Sequence, residues 1–439
     1  MFVRQMHDAA EETGFALAYQ ALSPAALRSQ LRASDAAGQF PDVVEVASVD
    51  APRLVSGGLL REVRNLYERI AGTNGDLFPP LLDLATAGPW ADLPTYQKPP
   101  VWAIPHVSVG SAWLVRRDLL GNKTIPPPNT FDDFRAAAAK LTDPTASTFG
   151  WGAPLPLADV VDDLAQSTLL DFGAGLFESS GMRVAFSPDD VAAALRAFAG
   201  LYRSDSGDNY APTGAVDWSI DDAAAAFANG QVAQSIDHGG MYARIVAATP
   251  KLRQQIRALP PPAGPKGRYT ASPTTLLAVA NRSRWSDLAV DFIERLLSPA
   301  RYEALIRAGA GSIIPPYAYL TKSPFWDDDP NYPAFAANAR GDPARNLGFA
   351  TPGTPAAMTL PVAEVRAHQI LATLLRSVAS GRMSAADAAV ALGEQSRAVA
   401  RQGYALQPPA TPKPNPEWWR LLTAVQRYVQ GTPTPSAGQ

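Results

Sequence analysis

The chain contains no cysteine among its 439 residues. Disulfide bonds, thiolate metal sites and cysteine nucleophiles are therefore excluded together. Histidine is scarce as well, because the sequence holds only His7, His106, His238 and His368. No two of these histidines have the spacing of a zinc-binding HExxH motif. We therefore predict no metal site and no resident cofactor.

Charge is also sparse, and it favours neither sign strongly. Charged side chains make up 18% of the sequence and the formal net charge is −3. Such a chain lacks the basic surface on which nucleic-acid binding depends, so nucleic acid is not expected as a partner. No apolar run approaches the roughly 18 residues of a membrane-spanning helix. A hydrophobic content of 46% and a mean hydropathy of −0.08 are typical of a globular protein.

Sequence motifs of catalysis are missing. The chain has no GxSxG nucleophile elbow and no Walker phosphate loop. The acidic runs at 205–209 and 327–329 carry oxygen ligands, yet neither fits the twelve-residue calcium loop. We predict no catalytic residue and expect the protein not to be an enzyme. A pair of carboxylates for glycoside hydrolysis stays open, because their spacing is spatial and invisible in sequence.

What the sequence does contain is a regular alternation of strand-like and helical runs. This alternation predicts an α/β fold with mostly parallel sheets. The predicted strands are 15–22, 43–47, 101–105, 111–116, 231–236, 256–259 and 275–280. The predicted helices include 2–12, 24–36, 131–141, 188–203, 221–228 and 286–297.

The most informative stretch is DDAAAAFANGQVAQSIDHGGMYARI at 221–245. Its alanine-rich helix ends at Asn229 and Gly230, since glycine accepts a left-handed backbone. A short strand follows and leads into a polar loop at 237–240, with Tyr242 just beyond it. Open α/β sheets bind ligands at the carboxyl ends of strands, so this loop is a candidate binding segment.

This stretch resembles a conserved segment of the bacterial extracellular solute-binding proteins of family 1, which are the capture subunits of ATP-driven importers. Further passages resemble the same family in the same order along roughly residues 1–400. They are GQFPDVV at 38–44, GLL at 58–60, WAIPHVSVGSAWLVRRDLL at 102–120, PPNTFDDFRAAAAKLTD at 127–143, FGWG at 149–152, ALPPPAGPKGRYTASPTTLLAVA at 258–280, WSDLAVDFIERLLSPARYEAL at 285–305 and SIIPP at 312–316.

The resemblance implies a two-lobed periplasmic-binding-protein-like fold of type II, with lobes joined by hinge crossings. One lobe would hold residues 1–111 and 262–312, and the other 112–261 and 313–403. The proline-rich run at 260–265 would lie at a crossing, where proline limits backbone freedom. Residues 404–439 would add a proline-rich linker, an extra amphipathic helix at 417–430 and a disordered tail at 431–439.

The family also implies a function and a set of binding residues. The expected ligand is a small solute, above all a sugar or oligosaccharide, and the expected partners are ABC permease subunits, with the protein itself a monomer. Loop aromatics would stack on the ligand, foremost Tyr242, where the family often has a nearby tryptophan, and more weakly Trp90 and Tyr96. The ligand-binding residues that the resemblance implies are Ser48, Asp50, His106, Ser108, Trp151, Trp218, His238, Gly239, Tyr242 and Ser272.

Several alternatives stay open at this stage. A two-domain carbohydrate-active hydrolase would share the α/β shape, and a binding fold can also be recruited as a sensor. Phosphorylated polyols, oligopeptides and polyamines remain possible ligands.

The resemblance also implies an extracytoplasmic location, in the periplasm or as a cell-surface lipoprotein. Family members carry a signal segment and a first strand ahead of the first helix. Because both are missing here, we expect a truncated sequence, the alternative being a cytoplasmic protein without a signal.

Overall fold

The structure is a computed structural model. It describes residues 2–86, 98–155, 158–179, 181, 183–204, 207–238, 240–318, 322–342, 346–351, 354 and 358–405. The predicted C-terminal helix and tail, together with Trp90 and Tyr96, lie outside these residues.

Helices and strands alternate along the described chain, with nine strands among seventeen α-helices. The strands are β1 (Val43–Ala47), β2 (Ile104–Val109), β3 (Ser111–Arg116), β4 (Gln234–His238), β5 (Ile256–Leu259), β6 (Tyr269–Thr270), β7 (Thr274–Val279), β8 (Ile313–Ile314) and β9 (Gly348–Phe349). The helices are α1 (Phe2–Thr13), α2 (Pro24–Ala36), α3 (Ala51–Ser56), α4 (Arg64–Asn74), α5 (Pro79–Thr86), α6 (Arg117–Asn122), α7 (Phe131–Leu141), α8 (Ala158–Asp171), α9 (Pro188–Ala199), α10 (Ile220–Ala228), α11 (Met241–Ala248), α12 (Ser286–Leu296), α13 (Pro299–Gly309), α14 (Tyr332–Asn338), α15 (Leu360–Ala367), α16 (Ile370–Ala379) and α17 (Ala385–Ala405).

Local sequence explains where several helices begin and end. Thr130 caps α7 through a capping box in which its hydroxyl accepts from the Asp133 amide and the Asp133 carboxylate accepts from the Thr130 amide. Ser219 and Asp222 form the same box at the start of α10. That helix is followed by Gly230, whose φ of 76° is the left-handed conformation expected of a glycine at that place.

The first sheet has the strand order β1-β7-β2-β8. Alternate residues of β7 point to opposite faces, as the two-residue period of a strand requires. Leu276 and Ala278 pack with α2 and α3 in one cluster. Leu277 and Val279 pack on the other face in a cluster that includes α1, α4 and α12. The sheet is therefore covered by helices on both sides.

The second sheet has the strand order β4-β3-β5 and is built around β3. On one face Trp113 and Val115 enter a core formed with α7, α8, α9 and α15 to α17. On the other face Ala112 and Leu114 pack with α10, α11 and α14. Burial of β3 on both faces accounts for the near-continuous apolar run SAWLV in the sequence.

The prediction of mostly parallel sheets is wrong, because every pairing in these two sheets is antiparallel. The two-stranded pair of β6 and β9 is parallel. Strands β1 and β2 do run in the same direction, as the alternation with helices suggested. However, β7 arrives from much later in the chain and inserts between them with the opposite direction.

One further prediction needs correction. Residues 15–22 do not form a strand, since they pair with no strand of the described residues, and an extended segment without a partner gains no ladder hydrogen bonds. The lobe boundary at 312/313 stays a prediction. Strand β8 is the edge strand of the first sheet, and Ser323 still bonds to Glu303 of α13.

The close passage of the chain at Gly110, between β2 and β3, generates a prediction. A Cβ built on Gly110 would overlap the carbonyl oxygen of Gly311. We expect Gly110→Ala to lower the free energy of unfolding by about 1–3 kcal/mol, the usual cost of overpacking. Gly72→Ala is the matched control, because a Cβ there meets nothing within 4 Å and alanine favours α4. An unchanged melting temperature for Gly110→Ala would contradict the close approach.

Candidate functional site at the seam between the sheets

The chain passes between the two sheets at three places that lie together. Strand β2 continues into β3 through Gly110, whose amide donates to the Ser312 carbonyl at 2.9 Å. Strand β5 leads back to β7 through residues 260–273, and the Val109 amide donates to the Pro273 carbonyl at 2.9 Å. The third passage follows β8 and ends in α14, which packs against the second sheet. Three adjacent crossings are the usual arrangement of a hinge between two lobes, and we call this place the hinge.

A cavity of about 30 Å³ lies at this hinge, and we call it the hinge cavity. Asn338 anchors its wall, since its side-chain amide donates to the carbonyls of Ser111 and Leu259, both at 3.1 Å. The Asn338 Oδ1 atom is buried and has no hydrogen-bond partner among the described residues. Such a cavity has room for about two water molecules. Its lining also includes Val109, Trp113, Val160, Leu164, Ser167, Ile236, Pro261, Thr270, Ala271 and Pro273.

Helix α8, which contributes Val160, Leu164 and Ser167 to the lining of the hinge cavity, carries buried charge. Arg366 of α15 forms ion pairs with Asp162, at 3.0 Å, and with Asp163. The Asp162 carboxylate also accepts from the Ala372 amide at 2.7 Å, near the start of α16. Buried carboxylates persist only when they are paired and hydrogen-bonded in this way.

Helix α3 and the turn at 48–50, which follow β1 of the first sheet, pack against α15 of the second-sheet core, and we call this contact the seam. One ion pair spans it. Arg53 of α3 binds Glu364 of α15 with Nε to Oε1 at 2.9 Å and Nη2 to Oε2 at 2.6 Å. Such a two-pronged pairing fixes geometry as well as charge. The Glu364 side chain is 6% exposed and the Arg53 side chain 31%. This pair therefore joins the helix after β1 of the first sheet to a helix packed on the second.

Asp171, at the end of α8, is a second electrostatic feature beside the hinge. It is 1% exposed and accepts from the Tyr269 amide at 2.7 Å. Burial raises the pKa of Asp171 to about 9, against the opposing effects of the Tyr269 hydrogen bond and the Arg268 charge. The carboxyl group is therefore neutral at pH 7.

Comparison with known proteins identifies the family. The chain matches the family described as "Bacterial extracellular solute-binding protein" over residues 5–302. It belongs to this family. No match is found among curated proteins. In the described part of this solute-binding protein, no helix has the length and apolarity of a membrane span, and no three His, Asp or Glu side chains are grouped to hold a metal ion.

Solved structures show the same two-lobed fold. A sugar transporter from Arthrobacter chlorophenolicus A6 with bound laminaribiose has a TM-score of 0.71 at 16% identity, covering 90% of this chain and 96% of that one. The GacH receptor of Streptomyces glaucescens, solved free and with acarbose, has a TM-score of 0.70 at 18% identity, with coverage of 91% and 94%. The sugar-binding protein MalE from Xanthomonas citri has a TM-score of 0.69 at 17% identity, with coverage of 92% and 95%. The solute-binding protein is thus of the maltose-binding type in its fold.

Two of the predicted binding residues lie at the seam. Ser48 and Asp50 form a buried single turn directly after β1, and Val49 between them packs against the core of the second sheet. The Asp50 carboxylate accepts from Arg28 Nε at 2.7 Å. This turn and Arg53 together make the first-sheet side of the seam.

Ser108 and Ser272 are brought together at the hinge. The Ser108 hydroxyl shares a 2.9 Å hydrogen bond with Thr274, and the Ser272 hydroxyl donates to the Val109 carbonyl at 2.6 Å. His106 is placed differently from the prediction. Both His106 and Ser108 lie within β2 rather than in a loop after it. His106 is 2% exposed and stacks on Phe2 with a centroid distance of 5.0 Å, so it is a core side chain of the first sheet.

Trp151 and Tyr242 also differ from the prediction of exposed stacking rings. Trp151 is fully buried and lies 5.3 Å from Trp113 between ring centroids. Tyr242 is 1% exposed and belongs to α11 rather than to a loop. Its hydroxyl donates to Asp329 at 2.7 Å. Core contacts therefore hold both rings. An aromatic ring of this size contributes most to stability when its whole surface is buried.

The remaining predicted residues are less constrained. Trp218 is half-buried and packs against the clusters on both faces of the second sheet. His238 is the last residue of β4, but its side chain and Gly239 lie outside the described residues. Trp218, Ser48, Asp50, Ser108 and Ser272 therefore stay in the candidate set.

The sequence did not point to four residues of the candidate site, which are Arg53, Glu364, Asn338 and Asp171. A single polar or charged side chain on a helix is indistinguishable from a surface residue until the helix packing is known. One signal was present in LPVAEVRA at 360–367, where two charges interrupt an otherwise apolar run. Every residue from Pro361 to Arg366 is buried, so charges in such a run need partners.

The burial of Trp151 predicts a stability effect. We expect Trp151→Ala to lower the free energy of unfolding by about 3–5 kcal/mol, because it empties a packed core site. Denaturant unfolding and ligand titration of the same variant separate the two roles. Unchanged stability together with lost ligand affinity would show that Trp151 belongs to the ligand-binding surface rather than to the core.

The neutral carboxyl of Asp171 predicts a pH dependence. The folded-state pKa of about 9 exceeds the unfolded value near 3.9, so the folded state holds the extra proton between these limits. Stability from this group is complete below about pH 4 and is lost as the pH rises towards 9. We expect Asp171→Asn, which keeps the acceptor for Tyr269, to flatten the fall in melting temperature between pH 5 and 9. Asp291→Asn, at an exposed position of α12, is the control. An equal slope in wild type and Asp171→Asn would contradict the neutral carboxyl.

Proposed function

We propose that this protein captures a sugar or oligosaccharide between its two lobes and delivers it to the permease subunits of an ABC importer. The observation that carries the proposal is the set of three adjacent crossings between two sheets, in a chain that belongs to a solute-binding family. Such crossings allow two lobes to open and close around a solute while the hinge stays intact.

The small size of the hinge cavity supports capture by lobe movement. The hinge cavity measures about 30 Å³, whereas small-molecule pockets measure about 300–1,000 Å³. In this proposal a solute enters when the lobes part, which separates Arg53 from Glu364 while the hinge contacts stay in place. We propose that the lobe boundaries follow the sheets, with β8 and residues up to about 328 in the first lobe.

Polar chemistry along the seam suits a hydroxyl-rich ligand. The serine hydroxyl of Ser48, the side-chain amide of Asn338 and the charged groups of Arg53 and Glu364 offer both donors and acceptors. Sugars present hydroxyls that need both kinds of partner. Solved neighbours of the same fold, described with bound laminaribiose, acarbose or tagatose, support this choice of ligand class.

The remaining parts of the proposal follow from the family. We propose that the protein works as a monomer in the periplasm or at the cell surface, and that it binds its solute without chemical change. The family and the structural neighbours are binding proteins, which supports binding without catalysis.

The test is a panel of neutral sugars that includes maltose, laminaribiose, cellobiose and their longer oligomers. A ligand present at 100 times its Kd stabilises the folded state by about 2.7 kcal/mol, so we expect a higher melting temperature with at least one sugar. Chromatography after incubation should return that sugar intact. Hydrolysis of any panel member at enzyme-like rates would support a glycoside hydrolase instead. Failure of every sugar to shift the melting temperature would contradict the proposed ligand class.

A further inference from the structure

The Arg53–Glu364 pair has an unusual position among the ion pairs of the described residues. The other pairs, such as Arg61–Asp287 and Arg376–Asp217, join elements packed on the same sheet. Arg53 and Glu364 instead join α3, which follows β1 of the first sheet, to α15 of the second-sheet core. A solute bound between α3 and α15 would lie between these two side chains.

The charges around the pair are already matched to one another. On the first-sheet side, Asp50 binds Arg28 at 2.7 Å. On the second-sheet side, Arg366 is held by Asp162 and Asp163 and is 4% exposed. Arg53 and Glu364 therefore neutralise each other across the seam, and parting them leaves one cation on one wall and one anion on the other.

The ligand that parts them has to satisfy both charges at once. A hydroxyl group donates and accepts, so two neighbouring hydroxyls of a sugar can accept from the Arg53 guanidinium and donate to the Glu364 carboxylate. A carboxylate or phosphate would satisfy Arg53 alone and leave Glu364 as an unpaired, nearly buried anion, which is strongly unfavourable.

We propose that Arg53 and Glu364 are ligand-binding residues, which exchange their mutual ion pair for hydrogen bonds to neighbouring hydroxyls of a neutral sugar. The same exchange makes the site reject uronates and sugar phosphates. This inference rests on the proposed function and narrows its ligand to uncharged polyhydroxyl compounds.

Calorimetric titration tests the proposal with maltose, laminaribiose and cellobiose, each compared with its counterpart whose terminal glucose is oxidised to glucuronate. We expect the wild-type protein to bind a neutral disaccharide at least about tenfold more tightly than its acid, the scale set by hydrogen bonds to charged groups. Arg53→Gln should weaken binding of the neutral sugar by at least about tenfold for the same reason.

Glu364→Gln is the decisive variant, because it keeps the size of the side chain and removes the anion. Arg53 is then free to pair with a ligand carboxylate, so preference for the neutral sugar should fall about tenfold or reverse. Arg69→Gln is the matched control. It breaks an exposed ion pair with Glu294, in which the two charged groups are 2.8 Å apart, and this pair lies away from the seam. It should therefore change the affinity for neither the neutral sugar nor its acid.

Folding and binding effects are separated by the double variant Arg53→Met with Glu364→Leu, which removes both charges and leaves no unpaired ion. Its circular dichroism spectrum should show that it stays folded, and its affinity for the neutral sugar should fall at least about tenfold. If Glu364→Gln and the double variant both keep their affinities for the neutral sugar and for its acid within twofold of the wild type, the ion pair has a purely structural role. That result would overturn the proposal. A wild-type preference for the acid would also overturn it, with the proposed function intact. Absence of binding to every sugar would overturn both.

Discussion

The arrangement of this protein depends on main-chain hydrogen bonds at the place where the chain passes between its sheets. The amides of Val109 and Gly110 donate to the carbonyls of Pro273 and Ser312, so main-chain bonds tie the three passages to one another. In the proposed function the lobes part while these backbone bonds stay in place, which separates Arg53 of α3 from Glu364 of α15.

Buried charge along the seam is of two kinds. Arg366 sits between Asp162 and Asp163 within one core and holds α15 against α8. The Arg53–Glu364 pair spans two cores and keeps Arg53 31% exposed, so water and solute can reach it. The first kind fixes a wall of the seam, while the second is available for exchange. The cost of a buried charge does not arise at Asp171, because burial raises the pKa of its carboxyl group to about 9 and the group is neutral at pH 7.

Local sequence predicted individual elements well. The bounds of β1, β3, β5, α2 and α7 agree with the prediction to the residue, because caps such as Thr130 and the period of apolar residues are short-range signals. The direction of neighbouring strands was not predictable in the same way. Strand β7 enters the first sheet between β1 and β2, and no local pattern reports which distant segment will pair with an edge.

The binding role of the candidate residues stays a prediction. The resemblance to the family pointed to Ser48, Asp50, Ser108 and Ser272, and the structure places them at the seam and the hinge. Tyr242 was expected to be an exposed ring, yet its hydroxyl is tied to Asp329, which lies 87 positions later in the chain. A side chain that looks like a loop platform in sequence is thus held by Asp329, in the turn before α14, which only the folded chain brings to it.

The sequence by itself determined the α/β class, the positions of the capped helices and membership of a solute-binding family, since each rests on residue types at short or ordered spacings. The tertiary structure decided the antiparallel sheets, the hinge at Gly110 and the partners of each buried charge. Arg53 and Glu364 are 311 residues apart, and neither has a local feature that specifies the other. Their pairing arises because both sheets bury their apolar faces and thereby bring α3 and α15 together, which no single segment encodes.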